Sequence, residues 1–315
     1  MRRIGVAGLF CALAFGQEQV FRAQSDLVVA PVTVTGSKRA FVDGLDSGDF
    51  RVTDNGREQP FTLETADVVG APVALAVVVQ ANDLARPALA KIVKVGALIE
   101  PLITGERGAA AVISFGAEVR TLAEFTHEHA EIRDAVAAVR TGDDSTARMR
   151  DAVALAAMML EARPPRERKA ILLISETRDR GSETELAPLV ESLQRSSITL
   201  YAATFSVTAT AFTAKQSEQT RAGGMNLIAA FRELGRLGKL NDVEALTEAT
   251  GGERASFATL HALEQRVSRI GEELHAQYQL TYRAQDRTAG YHRVLVELPG
   301  HPKLVVRSRP GYWRQ

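Results

Sequence analysis

Three mostly apolar runs, without regular alternation of polar and apolar residues, constrain the fold of this chain more than any other feature of its sequence. They lie at residues 73–79, 109–115 and 169–175, and each has the length of a single strand. Unbroken runs, as opposed to alternating ones, are typical of strands that are covered on both faces. Segments with helical spacing of apolar residues, such as 89–102 and 149–160, separate the runs. This alternation predicts an α/β fold with a mostly parallel, Rossmann-like sheet flanked by helices over residues 71–275.

The two flanks of this region have the texture of short antiparallel strands. Residues 50–53 alternate and precede Asn55-Gly56, a strong hairpin signal, so we expect a returning strand at residues 59–63. Near the other end, Tyr278, Leu280 and Tyr282 alternate in the same way. Because two or three strands alone bury little surface, we expect residues 26–66 and 276–315 to pack together as one β-sandwich-like unit.

Residues 207–275 join the last strand to this unit. Small and polar residues up to Gly224 indicate an extended loop over 207–241. A helix is predicted near 242–249, where Gly251-Gly252 provides a stop signal. Apolar residues then recur with helical spacing between Leu260 and Leu274, which predicts a helix packed on the sheet.

The N-terminus resembles an export signal. Arg2 and Arg3 precede an uncharged apolar run at 4–15, and a small-x-small site ends at residue 16. We therefore predict a signal peptide at 1–16, a periplasmic or extracellular mature chain and no membrane span in that chain, with an uncleaved anchor as the alternative. The lone cysteine, Cys11, lies in this segment, so the mature chain would contain no disulfide.

Charge and motif content exclude several classes of function. The 38 basic and 38 acidic residues balance, which gives no electrostatic argument for nucleic acid as a partner. We find no nucleophile elbow, no phosphate-binding glycine loop and no carboxylate pair of the glycosidase kind. The sequence therefore predicts no catalytic residues and a protein that is not an enzyme.

Several motifs, in order along the chain, resemble those of bacterial exported proteins related to the von Willebrand factor type A (VWA) domain. They are residues 42–50 (VDGLDSGDF) with 52–56 (VTDNG), residues 269–274 (RIGEEL) with 277–282 (QYQLTY), and residues 307–312 (RSRPGY). The resemblance implies a Rossmann-like domain whose ligand site lies at the carboxyl ends of the strands, as in other open α/β sheets.

Many members of that family hold a metal ion in a metal-ion-dependent adhesion site. The resemblance implies an Asp-x-Ser-x-Ser loop after the first strand, a Thr before a central helix and an Asp after the fourth strand. In this chain the first loop has Gln80, Asn82 and Leu84 at those positions. Ala147 is at the Thr position, next to Thr146, and Glu176 is at the last Asp position.

One carboxylate therefore remains, whereas Mg²⁺ prefers a shell of hard, charged oxygen ligands. We predict a degenerate adhesion site with no resident metal or other cofactor. The alternative is a rearranged Mg²⁺ shell that uses Asp83 and Asp144.

The functional hypothesis is a non-catalytic protein-binding or scaffold module that contacts its ligand through the strand-end loops. The candidate binding residues are Gln80, Asn82, Asp83, Asp143, Asp144, Ser145, Thr146, Glu176, Arg178 and Asp179. Three other hypotheses stay open: a metal-dependent adhesion module, a purely structural protein with inert loops, and a hydrolase with unrecognised residues.

Overall fold

The computed structural model describes residues 27–64, 71–205 and 241–314. The strands, in chain order, are β1 (Leu27–Thr35), β2 (Arg51–Asp54), β3 (Arg57–Glu58), β4 (Phe61–Glu64), β5 (Val73–Gln80), β6 (Ala109–Phe115), β7 (Val119–Thr126), β8 (Arg168–Ser175), β9 (Thr199–Thr204), β10 (Arg254–Ser256), β11 (Tyr278–Arg283), β12 (Gly290–Glu297), β13 (Val305–Ser308) and β14 (Gly311–Arg314). The helices are α1 (Arg86–Ile92), α2 (Gly96–Ile99), α3 (His129–Ala137), α4 (Met149–Glu161), α5 (Leu186–Arg195), α6 (Asp242–Thr250) and α7 (Leu260–Ala276). The predicted signal peptide at 1–16 and the predicted loop at 207–241 fall outside these residues, apart from Asn241.

A six-stranded sheet in the order β10-β9-β8-β5-β6-β7 forms the centre of the molecule. All neighbouring strands run parallel except β7, which pairs antiparallel with β6. Every residue of β5, β6 and β9 is buried. The prediction of a mostly parallel sheet buried on both faces is therefore confirmed.

Alternate side chains of β5 enter two separate cores. Val73, Leu75, Val77 and Val79 pack on one face, against apolar residues of α1, α2, α3 and α7. Ala74, Ala76 and Val78 pack on the other face, against α4, α5 and α6. The small residues on this second face allow α4 to lie close to the sheet, because alanine leaves little side-chain volume between them.

The flanks build two antiparallel four-stranded sheets, in the orders β13-β1-β11-β4 and β14-β12-β2-β3. Each sheet combines strands from both ends of the chain, so neither flank forms a sheet by itself. Their inner faces share one apolar core, which includes Val32, Val52, Leu280 and Val296. The fold class predicted from the sequence is confirmed. The numerical limits of the two units stay a prediction.

The hairpin at Asn55-Gly56 corrects one expectation. Both turn residues have positive φ, 49° and 79°, as a tight two-residue hairpin requires. The returning strand, however, is β3, which pairs with β2. The expectation that residues 59–63 form the returning strand was wrong, because residues 61–63 belong to β4. Pro60 interrupts the ladder because it has no N–H group to donate. The chain then crosses to the other sheet, where β4 pairs with β11.

A buried carboxylate joins the two units. Glu273 of α7 is 1% exposed and accepts hydrogen bonds from the Tyr201 hydroxyl at 2.9 Å and the Thr33 hydroxyl at 3.1 Å. Its second oxygen pairs with the guanidinium of Arg307 from β13. Because an unpaired buried charge is costly, this contact requires β1, β9 and β13 to be placed together.

Within the described ranges, no helix is both long and apolar enough to cross a membrane.

Gly252 marks a point of close backbone contact between α6 and β9. Gly251 ends α6 in the left-handed conformation, with φ of 74°, as the sequence predicted. A Cβ atom added at Gly252 would overlap the carbonyl group of Leu200. We therefore expect Gly252→Ala to lower the free energy of unfolding by about 1–3 kcal/mol through overpacking.

Urea unfolding of the purified chain measures this effect. Gly300→Ala is the matched control, since nothing lies within 4 Å of an added Cβ at that glycine. The control is expected to change stability by less than about 1 kcal/mol. Equal effects of the two substitutions would contradict the packing argument.

Candidate functional site

Three loops meet where the central strands end. The first loop, residues 80–86, begins at the last residue of β5, and the second, residues 142–148, precedes α4. The third, residues 175–182, begins at the last residue of β8. We call the joint surface of these three loops the strand-end rim. Backbone hydrogen bonds tie the first two loops together, from Gly142 N–H to the Ala81 carbonyl at 2.9 Å and from Asp83 N–H to the Asp144 carbonyl at 3.0 Å. The main chain therefore holds the first two loops of the rim together.

Gln80 and Asn82 lie at the floor of the rim, and both are fully buried. The Gln80 amide donates to the Asn82 oxygen at 2.8 Å and to the Glu176 carboxylate at 3.3 Å, and its own oxygen accepts from Glu176 N–H at 2.8 Å. Asn82 donates to the Thr146 carbonyl at 3.1 Å and accepts from Ala85 N–H at 3.2 Å. Both amide side chains are thus committed to partners inside the protein.

Glu176 forms an ion pair with Arg180 on top of this floor. The Glu176 side chain is 8% exposed, and its two oxygens accept from Nε of Arg180 at 2.9 Å and from a terminal guanidinium nitrogen at 3.1 Å. The hydrogen bond and charge of Glu176 raise the pKa of Arg180 above its ordinary value. Two backbone hydrogen bonds between Ala147 and Arg180, of 2.9 and 2.8 Å, hold the arginine over the carboxylate.

These side chains do not fit the oxygen shell of a divalent metal. Leu84 and Ala147 have no side-chain oxygen. The Gln80 and Asn82 oxygens already accept hydrogen bonds, and the carboxylate of Glu176 faces a guanidinium. Among the residues that the structure describes, no group of three or more His, Cys, Asp or Glu is placed to hold a metal ion.

Two exposed ion pairs that share Arg86 lie beside the floor. Arg86 donates to Asp83 at 3.2 Å and to Asp143 at 3.0 Å, and so links two of the loops. Asp144 instead accepts from Thr146 N–H at 2.7 Å, which shapes the turn. Ser145 is exposed on the same loop. Exposed ion pairs such as those of Arg86 with Asp83 and Asp143 add little to the stability of the fold.

Asp179 anchors the third loop to α4. Its carboxylate accepts from the backbone N–H of Arg150 at 3.0 Å, from the Arg150 guanidinium at 3.2 Å and from the N–H of Ser182 at 3.1 Å. Its own N–H donates to Asp242 of α6 at 2.9 Å. Burial raises the pKa of Asp179, but the hydrogen bonds from Ser182 and Arg150 outweigh that effect and leave the pKa below its ordinary value.

The structure thus separates the predicted residues into groups. Gln80 contacts both Asn82 and Glu176, and Thr146 accepts from Asn82 through its carbonyl group. A second group, Asp83 and Asp143, contacts Arg86. Asp144, Ser145, Arg178 and Asp179 lie on the same loops without joining the floor.

Two arginines of the rim, Arg86 and Arg180, were not among the predicted residues, and neither was Arg150 of the adjoining helix α4. The opposite charges of Glu176 and Arg180, four positions apart, were the available signal for the most important of them. That spacing implies contact only in a helix, and these residues lie in a loop. The contact here depends on the bridge to Ala147 and on Gly181, whose φ is 106°.

Sequence comparison identifies the class of this protein. The model of the von Willebrand factor type A domain family matches residues 83–249, just over half of the chain, and the chain belongs to that family. Domains of this family are generally non-enzymatic modules that commonly bind proteins. No curated protein matches the chain.

Solved structures resemble the chain at low sequence identity and with TM-scores below 0.5. A von Willebrand factor type A protein from Catenulispora acidiphila is 10% identical over 86% of this chain and 76% of its own, with a TM-score of 0.46. BatB, a conserved hypothetical protein from Bacteroides thetaiotaomicron, is 10% identical over 64% and 99%, with a TM-score of 0.42. An aerotolerance-related membrane protein from Bacteroides fragilis, carrying mutations to serine, is 13% identical over 64% and 98%, also with a TM-score of 0.42.

The lowered pKa of Asp179 generates a prediction about pH. A carboxylate whose pKa is lower in the folded state contributes its full stabilisation above the unfolded pKa of about 3.9, and loses it as the pH falls through the folded pKa. We expect Asp179→Asn to lower the free energy of unfolding by about 1–3 kcal/mol at pH 7. The difference from the wild type should shrink steadily below about pH 4.

Denaturant unfolding at pH 7, 5, 4 and 3 measures this difference. Asp43→Asn is the control, because Asp43 is an exposed acid with no described partner. The control variant should follow the wild type at every pH. A deficit for Asp179→Asn that is as large at pH 3 as at pH 7 would show that the loop does not depend on the ionised carboxylate.

Proposed function

We propose that this chain is a non-catalytic protein-binding module whose strand-end rim contacts its partner without a divalent metal. One observation carries the proposal. The acid that stands at the family's metal-binding position, Glu176, is paired through both oxygens with Arg180 of the same loop. A guanidinium therefore supplies, inside the protein, the positive charge that a metal ion would bring.

The rest of the rim supports a metal-free site. The rearranged Mg²⁺ shell considered from the sequence would need Asp83 and Asp144 as ligands. Asp83 instead pairs with Arg86, and one oxygen of Asp144 holds the turn at Thr146. Mg²⁺ gives up its water reluctantly and needs near-octahedral oxygen ligands, so ligands already engaged elsewhere compete poorly for it.

The character of the surface supports a protein as the ligand. The rim presents the exposed charged and polar side chains of Asp83, Asp143, Ser145 and Arg178 on loops that the main chain holds in place. Binding loops on a rigid α/β scaffold are a common arrangement for recognition. A preformed surface also loses less conformational entropy when it binds.

The site of action in the cell rests on the N-terminal sequence. We propose that residues 1–16 are a signal peptide and that the module acts as a scaffold of the cell envelope or exterior. The basic and apolar pattern of those residues supports this proposal.

Thermal melting tests the metal-free rim. We expect the melting temperature of the full chain to differ by less than about 1 °C between EDTA and 5 mM Mg²⁺ or Mn²⁺. A metal present at 100 times its dissociation constant would stabilise the chain by about 2.7 kcal/mol, which corresponds to roughly 5–10 °C for a chain of this size. A shift of that size would contradict the proposal and favour the rearranged shell.

Partner capture tests the rim itself. The immobilised chain is incubated with an envelope extract of the organism that makes it, with EDTA throughout. The rim variant combines Asp83→Ala, Ser145→Ala and Arg178→Glu. We expect it to bind the partner about tenfold more weakly, a loss of roughly 1.4 kcal/mol of binding free energy.

The control for partner capture is Asp43→Ala with Arg283→Glu, which changes net charge equally on exposed residues of the flanking unit. This variant should capture partner like the wild type. Equal capture by the rim variant would reject the proposed surface. No capture by any form of the protein would favour a purely structural role.

A further inference from the structure

The three motifs that carry the family resemblance meet at one buried carboxylate in the flanking unit. Each motif supplies one residue of this cluster, namely Asp54, Tyr282 and Tyr312. One oxygen of Asp54, which is 1% exposed, accepts hydrogen bonds from the Tyr282 hydroxyl at 3.1 Å and from the Tyr312 hydroxyl at 2.8 Å. The carboxylate thereby joins β2 and β14 of one flanking sheet to β11 of the other.

The second oxygen of Asp54 faces the imidazole ring of His292, which comes from β12. Oδ1 of Asp54 lies 3.1 Å from Nδ1 of His292, and both side chains are 1% exposed. The other ring nitrogen, Nε2, lies 2.8 Å from the carbonyl oxygen of Thr288. The ring also stacks on Tyr312, with 5.1 Å between the ring centroids. His292 is thus held at both nitrogens and on one face.

The partners of His292 determine how many protons the ring carries. A carbonyl oxygen only accepts, so Nε2 donates to Thr288. The two tyrosine hydroxyls that donate to Asp54 favour its ionised form, which also only accepts. Nδ1 therefore carries a proton as well. The Asn55 amide nitrogen lies farther from Nδ1, at 3.5 Å, and has Asp286 as another acceptor. The geometry thus requires an imidazolium paired with a carboxylate.

The tyrosines of the cluster do not titrate in the neutral range. Burial, together with the interaction with Asp54, raises the pKa of Tyr282 above its ordinary value. The same two causes raise the pKa of Tyr312. Both hydroxyls therefore stay protonated between pH 6 and pH 9 and continue to donate to the carboxylate. A change of charge inside the cluster over this range falls on His292.

The other charged groups near the ring keep their charge over the same range. Hydrogen bonds from Thr288 lower the pKa of Asp286 to about 2, so this acid of the loop before β12 stays ionised. Arg309 lies over the ring of Tyr312, with 5.8 Å to its centroid, and Arg314 donates to the Asp286 carbonyl at 3.5 Å. Arginines remain protonated in proteins, so neither of them competes with His292 as the titrating group.

We infer that the ion pair of His292 with Asp54 is a pH-sensitive switch that controls how firmly β14 and the two flanking sheets are held together. The folded chain retains on His292 a proton that an unfolded histidine releases above about pH 6.5. Stability falls with rising pH wherever the folded state binds more protons than the unfolded state.

The ion pair therefore contributes its full stabilisation below about pH 6.5 and loses it as the pH rises further. At high pH, Asp54 becomes a buried carboxylate without its neighbouring cation, which is the costly state of a broken buried pair. The inference concerns the flanking unit and does not depend on the strand-end rim.

Thermal melting followed by the fluorescence of Trp313 tests the switch in the full chain. Trp313 is the only tryptophan in the sequence, it follows Tyr312 in β14, and its ring centroid lies 5.4 Å from that of Tyr291. His292→Gln should melt below the wild type at pH 6. We expect this difference to shrink by at least about 3 °C at pH 9. The titrations that the two proteins share cancel in the difference. A difference as large at pH 9 as at pH 6 would overturn the inference.

The matched control is His261→Gln, which removes a histidine of α7 whose side chain is 78% exposed. Its difference from the wild type should change by less than about 1 °C between pH 6 and pH 9. Asp54→Asn removes the other member of the ion pair, so its deficit should also shrink as the pH rises. A pH dependence of His261→Gln as large as that of His292→Gln would contradict the assignment to the buried pair.

Nuclear magnetic resonance of the ¹⁵N-labelled wild type provides a measurement that needs no substitution. The ring nitrogens of His292 are assigned through bonds from its own Cβ. At pH 6 we expect both nitrogens to carry a proton, and we expect one proton to be lost as the pH rises to 9. A ring with a single protonated nitrogen at pH 6 would overturn the inference, whether or not the variants fold.

Discussion

The buried strand β5 is the constraint on which the rest of the structure depends. All of its residues are buried, and they alternate between two apolar cores, so the strand is fixed on both faces and on both edges. Its neighbours β6 and β8 run parallel to it, which brings their carboxyl ends to one edge. Polar side chains that follow these strands must therefore meet there, partly buried, and must satisfy one another.

This requirement explains the chemistry of the rim. Gln80, Asn82 and Glu176 are buried polar groups, and each would be costly without partners. The protein satisfies them with hydrogen bonds among themselves, with backbone groups and with Arg180. A closed set of this kind holds the surrounding loops in a defined position. The proposed binding surface follows from that rigidity together with the exposed side chains around it.

The flanking unit is attached away from this surface. Its contacts with the central domain involve Glu273 of α7 and residues near the amino ends of β9 and β10, such as the Gly251 carbonyl that accepts from Arg307. The rim, in contrast, lies at the carboxyl ends of the central strands. Both flanks contribute strands to each of the two flanking sheets, so the unit depends on segments from both sides of the central domain in the sequence.

The sequence by itself determined the α/β class and the positions of the buried strands along the chain. It also determined the helical stop at Gly251 and the membership of the VWA family. The resemblance to that family also implied that Gln80, Asn82 and Glu176 would lie together where the central strands end. These features arise from local periodicity and from positions at strand ends, which can be seen along the chain. Only the tertiary structure decided that Arg180 pairs with Glu176 and that Arg86 links two loops. It also decided that β4, the strand after the hairpin, joins the other sheet. Such contacts depend on strand register and on the backbone path of loops, which bring together groups that no local pattern relates.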